Sequence, residues 1–152
     1  MIREATIKDL NAIVDLWQEM MDFHIERSDL YTIKPNAREI YVDYLRDVIK
    51  SPDYIILVYE MENSIIGYLT ATESSDPPVY EGTAGLILEI CVTESHRNNG
   101  IGEELLVEIE KYFLNKDISR FECMVSDFNE ISKSFWFKNG YKTYNLMCVK
   151  KL

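Results

Sequence analysis

Between the apolar run Gly85-Leu86-Ile87-Leu88-Glu89-Ile90-Cys91-Val92 and a helical stretch beginning at Ile101 lies a short polar turn that ends Arg97-Asn98-Asn99-Gly100-Ile101-Gly102. The run reads as a buried strand, interrupted by one acid. Downstream, Ile101, Leu105, Ile109 and Tyr112 recur at helical spacing, with Glu103, Glu104, Glu108, Glu110 and Lys111 largely opposite them. The segment is therefore a strand, a glycine-containing turn and a helix N-terminus. A helix N-terminus carries unpaired N–H groups and the positive end of the dipole, and glycine lets a bulky anion approach the backbone. A phosphate group suits such a place. Glycine costs roughly 1 kcal/mol inside a helix relative to alanine, so neither Gly100 nor Gly102 is there to help the helix start. Glu103 and Glu104 would repel an anion and are expected to point away from it. A tight strand-to-helix connection that binds nothing is the other reading, and Arg-x-x-Gly-x-Gly alone does not separate the two.

In chain order, Ile2 to Ala5 reads as a strand, and Thr6 with Asp9 as the cap of a first helix over about 7–27, with Leu10, Ile13, Val14, Trp17, Met21 and His24 on one face. Ala37, Ile40, Tyr41, Tyr44, Leu45 and Val48 mark a second helix, stopped before Pro52. A hairpin follows, Tyr54 to Met61 and Ile65 to Thr72, turning at Glu62-Asn63-Ser64, and Gly67 inside it signals a bulge or a close backbone approach. After the central strand and helix come a strand over 120–126, a short helix over 129–139 closed by Gly140, and a final strand over 141–150. The order β, α, α, β, β, β, α, β, α, β predicts an α+β, three-layer domain. Its sheet is mixed, mainly antiparallel, of about six strands, with helices on both faces. No Rossmann alternation is present.

The 152 residues fit a single domain, 1–152. No apolar run approaches the ~18 residues of a membrane span, and the first residues lack the shape of a signal peptide, so a cytoplasmic protein is expected. The net charge of −10 argues against nucleic acid or an anionic membrane as partner and for cationic small molecules or basic peptides, although an acidic surface also serves solubility alone. Cys91, Cys123 and Cys148 lie in strand-like segments without Cys-x-x-Cys spacing. They read as buried reduced thiols, and no metal site is expected.

In this order the motifs resemble the GCN5-related N-acetyltransferase superfamily, over nearly the whole chain. Arg97-x-x-Gly100-x-Gly102 matches the family's phosphate loop, and Leu105-Leu106 follows as in many members. Asn129-x-x-Ser132-x-x-Phe135-Trp136-x-x-x-Gly140-Tyr141 is similar to its second motif, and 57–68 to its β2–β3 hairpin. The resemblance implies an acetyl-coenzyme A-dependent N-acetyltransferase. Backbone amides from Arg97 through Asn98, Asn99, Gly100, Ile101 and Gly102 to Glu103 would cradle the pyrophosphate. The pantetheine would lie between splayed strands, 89–92 and 121–126, with an N–H near Cys91 or Val92 (Ile90 adjoining) polarising the thioester carbonyl. Asn129, Ser132 and Trp136 share the helix face expected to meet the pantetheine, and Asn129 also suits a simple N-cap.

Glu89, the lone charge in the apolar run, is the candidate general base, because desolvation raises a carboxylate's pKa toward the working range. The alternative is pairing with a core Arg, Tyr or His. Where many members of the family carry a Tyr as general acid, this chain has Trp136, whose indole does not readily give up a proton. Tyr141 and Tyr144 are the hydroxyls considered in its place. His24 reads either as a satisfied core histidine or, with Glu26, Asp29 and Tyr31, as part of the acceptor site. Pro77-Pro78-Val79-Tyr80 is expected near that site, as a flap or as a homodimer contact. The expected reaction is direct transfer in a ternary complex to a primary amine of a small molecule or peptide. A non-catalytic acyl-coenzyme A-binding protein and a structural domain without ligand are the alternatives.

Overall fold

The computed structural model describes residues 1–74 and 82–152. Nine strands and α-helices are found among them: β1 (Ile2–Glu4), α1 (Leu10–Ile25), α2 (Ala37–Val48), β2 (Tyr54–Met61), β3 (Ser64–Ser74), β4 (Ala84–Val92), α3 (Ile101–Leu114), β5 (Arg120–Cys123) and α4 (Glu130–Lys138). The strands lie side by side in sequence order, antiparallel from β1 to β4, with β5 parallel to β4.

Both faces of the sheet are covered, which is why its strands read as unbroken apolar runs. In β2, Ile56 and Val58 join Tyr68 and Cys91 against Leu10, Ile13, Val14 and Trp17 of α1 and Leu45 and Val48 of α2. Ile55 and Leu57, pointing the other way, join Leu69, Ala71 and Ile87 against Leu105, Leu106, Ile109 and Phe113 of α3 and Trp136 of α4. At Gly85 an added Cβ would lie 2.4 Å from the Phe113 ring, so β4 and α3 approach as closely as they do only because that position is bare.

Glu62 and Asn63, both at left-handed φ, close the β2–β3 hairpin. The sheet register slips twice. Opposite Tyr59 and Glu60 the extra residue is Ile66, next to Gly67, whose added Cβ would meet the Cys91 carbonyl oxygen at 3.1 Å. Between Thr70 and Ala71 the extra residue is Leu88 of β4.

Several boundaries differ from the sequence reading, among them that of β5, which was expected over 120–126 and ends at Cys123. The first helix proper starts at Leu10, one 3₁₀ turn late, because the Asp9 carboxylate is held by the Thr6 N–H (2.7 Å), the Thr6 hydroxyl (2.9 Å) and both Nη atoms of Arg3 (2.8 and 2.9 Å). The final strand expected over 141–150 is in no sheet. Among the described residues five strands form where about six were expected, because strand propensity reports what a segment can pair with and not that a partner lies beside it. Cys148, expected buried, is exposed for the same reason, whereas Cys91 is buried and Cys123 half-buried.

The Arg3–Asp9 pair yields a pH prediction. Its hydrogen bonds hold the buried Asp9 carboxyl down at about 2. A depressed folded pKa contributes stability above the unfolded value near 4, and that contribution is lost as pH falls through about 2. Asp9→Asn is expected to cost about 2 kcal/mol at pH 7 and almost nothing near pH 2, read from urea midpoints at the two pH values.

Candidate active site

The site forms where β4 and β5 part. Their parallel pairing runs from Ala84–Arg120 to Ile87–Cys123 and stops there. Leu88, bulged out of the β3 ladder, marks the same level, and β4 continues to Val92 paired on its β3 side alone among the described residues. The Thr93 N–H bonds the Ile66 carbonyl oxygen at 2.9 Å. Counting back from that pair, antiparallel alternation turns the Cys91 amide toward Tyr68 and the N–H groups of Ile90 and Val92 into the gap. Of the two amides singled out from the sequence, Val92 faces the opening and Cys91 does not.

The Cys91 side chain is directed away as well. It is buried, its thiol donates toward the Leu16 carbonyl oxygen at 3.4 Å, and burial pushes its pKa up to about 12. A thiol so held is neither ionised at neutral pH nor placed for covalent chemistry.

Glu89 sits one residue past the bulge, on the α1–α2 face. Its Oε2 accepts hydrogen bonds from Tyr41 (2.5 Å) and Tyr68 (3.0 Å). Burial raises its pKa above the usual carboxylate range, while hydrogen bonds from Tyr41, Tyr68 and Thr70 pull it back part of the way. The burial that raises Glu89, together with its nearby charge, keeps both phenols protonated far above neutrality. Glu89 thus pairs with tyrosines, as one sequence reading allowed, and still faces a cavity of about 260 Å³ lined by Tyr41, Tyr44, Leu45, Val48, Tyr54, Thr70 and Leu88. It is the one carboxylate in that lining. The sequence reading missed these phenols as site groups because Tyr41 and Tyr44 fit the apolar face of α2, where periodicity records the rings and not the hydroxyls.

At the far end of the gap, α3 begins. Among the described residues, the main-chain N–H groups from Asn98 to Gly102 have no acceptor; the first helical bond is Glu104 N–H to the Gly100 carbonyl, 2.9 Å. Gly100 has φ +82°, a conformation that disfavours side chains, and an added Cβ there would meet nothing within 4 Å. Gly102 is small for a different reason: its Cβ would come 3.1 Å from the Phe135 ring of α4. Gly100 thus borders open space, while Gly102 packs against α4. Glu103 is drawn aside by Lys138, at 2.9 Å. Arg97 turns inward, its Nε donating to the Val92 carbonyl oxygen (2.9 Å) and its Nη2 to Glu19 (2.5 Å), so its side chain braces the loop against β4 and α1.

On α4 the three sequence candidates bond to one another. Asn129 Oδ1 accepts the Ser132 N–H (3.0 Å), capping the helix, and the Ser132 hydroxyl accepts the Trp136 indole N–H (3.2 Å). Trp136 is buried against Phe135 and Tyr141, so its ring is a core group. Tyr141 donates to Glu110 of α3 (3.1 Å), and Tyr144 lies in the exposed terminal segment.

Of the expected acceptor residues, the structure brings His24 and Tyr31 together and leaves Glu26 and Asp29 in separate surface pairs. His24 and Tyr31 cluster with Phe23 and Phe128, His24 Nδ1 meets the Met20 carbonyl oxygen at 2.8 Å, and the Tyr31 and Ser126 hydroxyls are hydrogen-bonded. Glu26 pairs with Arg27 and Asp29 with Lys151, both in exposed pairs. Tyr80, with Pro77 to Val79, lies outside the described residues. No group of three metal-ligating side chains occurs among the described residues, and no helix there is long and apolar enough to cross a membrane.

The model of the Acetyltransferase (GNAT) family matches residues 11–141. The chain belongs to that family. Its fold is shared with a tetramutant of the BH1408 protein from Bacillus halodurans (23% identity, TM-score 0.83, covering 100% of this chain and 99% of that one). It is shared also with the aminoglycoside N-acetyltransferase AAC(6')-Iy in complex with CoA (14%, 0.80, 99% and 93%). A third match is the aminoglycoside 6'-N-acetyltransferase AAC(6')-IG from Acinetobacter haemolyticus (15%, 0.78, 100% and 99%). At these identities the likeness speaks for the GNAT fold, and the reaction must be argued from this chain's residues.

Proposed function

We propose that this GNAT chain transfers an acetyl group from acetyl-coenzyme A to a primary amine by direct attack in a ternary complex, with Glu89 as general base. The observation that carries the reading is the half-desolvated Glu89 carboxylate, set in an aromatic cavity one residue past the point where β4 and β5 separate. Acetyl-coenzyme A supplies the activated acyl group. The amides from Asn98 to Gly102, without an acceptor among the described residues, would receive its diphosphate, and those of Ile90 and Val92 would face the pantetheine and the carbonyl oxygen that becomes negative. Asn129 caps α4 through Oδ1, and its Nδ2, with no acceptor among the described residues, would donate to the same arm.

An amine attacks only when neutral. Glu89 takes one proton from the ammonium; the freed lone pair then forms the C–N bond as the C–S bond breaks, and the second amine proton leaves to the departing sulfur or to solvent. A general acid is not required. A thiol of ordinary pKa, about 8.5, is an adequate leaving group as thiolate near neutrality.

The cavity also bears on the acceptor. One carboxylate among tyrosine rings and aliphatic side chains suits a single ammonium on a compact apolar or aromatic body, through charge and cation–π attraction. The chain's net charge of −10 favours cations generally. Free-thiol release over a panel of arylalkylamines, alkylamines, polyamines, amino acid amides and aminoglycosides tests this, with the highest kcat/KM expected for the compact monoamines. The buried indole at Trp136 favours one competing reading, a GNAT fold that binds acyl-coenzyme A without turnover. Saturable binding with no thiol release across the whole panel would decide for it.

A further inference from the structure

Helical spacing puts Ala12, Asp15, Leu16 and Glu19 along one flank of α1. Asp15 bonds Arg38 of α2 (2.5 Å). Glu19 instead reaches the turn between β4 and α3. Its Oε1 accepts from the Arg97 guanidinium (Nη2, 2.5 Å) and from the main-chain N–H of Glu94 (3.0 Å), and its Oε2 accepts from the Thr93 hydroxyl (3.4 Å). One carboxylate thus takes donors from both ends of the stretch Thr93 to Arg97, which leads directly into the amides from Asn98 to Gly102. We propose that Glu19 is a positioning residue: it fixes the loop ahead of α3 in the form that receives the diphosphate, a role that rests on those amides being the diphosphate site. It thereby sets the preference for coenzyme A thioesters over shorter ones.

Between Glu94 and Gly102, no hydrogen bond other than those to Glu19 leaves the β4–α3 segment among the described residues. Asn99 Nδ2 donates to the His96 carbonyl oxygen (3.2 Å), and Arg97 Nε to that of Val92. Close packing does not replace the Glu19 bonds. A hollow of about 350 Å³ lies at the joint, with Leu16, Glu19, Ile66, Thr93, Ser95 and His96 in its lining, so polar bonds tie turn to helix there. The loop also needs holding. Asn98 (φ +62°) and Gly100 (φ +82°) both stand in the left-handed region, which a free chain populates sparsely at a residue with a side chain. Order present before binding need not be supplied by the ligand.

Glu19 is also a negative charge near an anion site, which by itself would weaken binding. Its pairing with Arg97 offsets most of that charge, and the remainder is screened over a Debye length of about 8 Å at physiological salt. Positioning is the larger effect. The two predict opposite signs when the carboxylate is removed, so the experiment separates them.

Glu19→Ala in the full chain is expected to raise KM for acetyl-coenzyme A ~10-fold, about the cost of ordering one further loop residue at binding, with kcat nearly unchanged. For acetyl-pantetheine, which lacks the diphosphate, kcat/KM is expected to stay at the parent's value. Calorimetric titration with coenzyme A should show the same ~10-fold loss of affinity, independent of turnover. Should the Ala variant fail to fold, Glu19→Gln decides, with the same split and a smaller loss, because the amide keeps an acceptor oxygen for the Glu94 N–H. An equal fall for both donors overturns the proposal, since it marks a general disturbance of the fold. An unchanged or lowered KM for acetyl-coenzyme A overturns it too. If the parent itself does not distinguish the two donors, the diphosphate reading falls and this inference with it. If the parent does and the variants do so to the same degree, the role of Glu19 alone falls.

Discussion

Glu89→Gln is expected to lower kcat/KM for the amine by ~10²- to 10⁴-fold at pH 7, the range a positioned general base supplies. The amide keeps the shape and can still accept from Tyr41 and Tyr68, so the loss would report proton transfer and not collapse of the pocket. The pH profile separates the two further. Burial places the Glu89 pKa above the usual carboxylate range, and the base acts only when ionised, so in the parent kcat/KM climbs as pH rises through that pKa. The Gln variant should lack that limb. Tyr41→Phe removes a hydrogen bond that stabilises the ionised form, and is expected to move the limb to higher pH.

Stability should move the opposite way from activity. A carboxyl whose folded pKa is raised takes up a proton on folding. It supports the fold fully below its unfolded pKa and loses that support as pH rises through the folded value. At pH 8 the Gln variant has no charge to bury, so its thermal midpoint should be no lower than the parent's. Full activity of Glu89→Gln from pH 6 to 9 would remove the residue from the mechanism.

The sheet, its hairpin and the strand–turn–helix at Gly100 were legible because each rests on local rules: alternation, helical spacing and a left-handed turn that disfavours side chains. Glu89 was legible as one charge in an apolar run, where every neighbour predicts burial. Its partners were not, because Tyr41, Tyr44, Tyr54 and Tyr68 arrive from α2, β2 and β3, and nothing in their local spacing says that they converge. Gly102 and Trp136 were read toward a ligand, and the packing neighbours Phe135, Ser132 and Tyr141 were not legible. A glycine bare for packing and one bare for backbone conformation look alike until the opposing residue is known. The segment after Tyr141 shows the reverse failure: its propensity for a strand is legible, but pairing is a property of two segments and does not follow from the propensity of one.

Acetyl-pantetheine, which keeps the thioester and lacks the diphosphate, is expected to have a KM at least ~10³-fold above that of acetyl-coenzyme A. Hydrogen bonds to a charged acceptor contribute about 1.5–3 kcal/mol each. Three of the N–H groups between Asn98 and Gly102 would together supply about 5 kcal/mol, which at about 1.4 kcal/mol per decade is between three and four decades of affinity. The diphosphate is remote from the reacting carbon, so binding gained there and held equally in the ground and transition states appears in KM and leaves kcat nearly unchanged. A loss confined to kcat would mean that the phosphate end is needed to align the thioester against Ile90 and Val92. Equal kcat/KM for the two donors would show that the amides ahead of α3 grip nothing, and would leave the turn at Gly100 as a strand-to-helix connection.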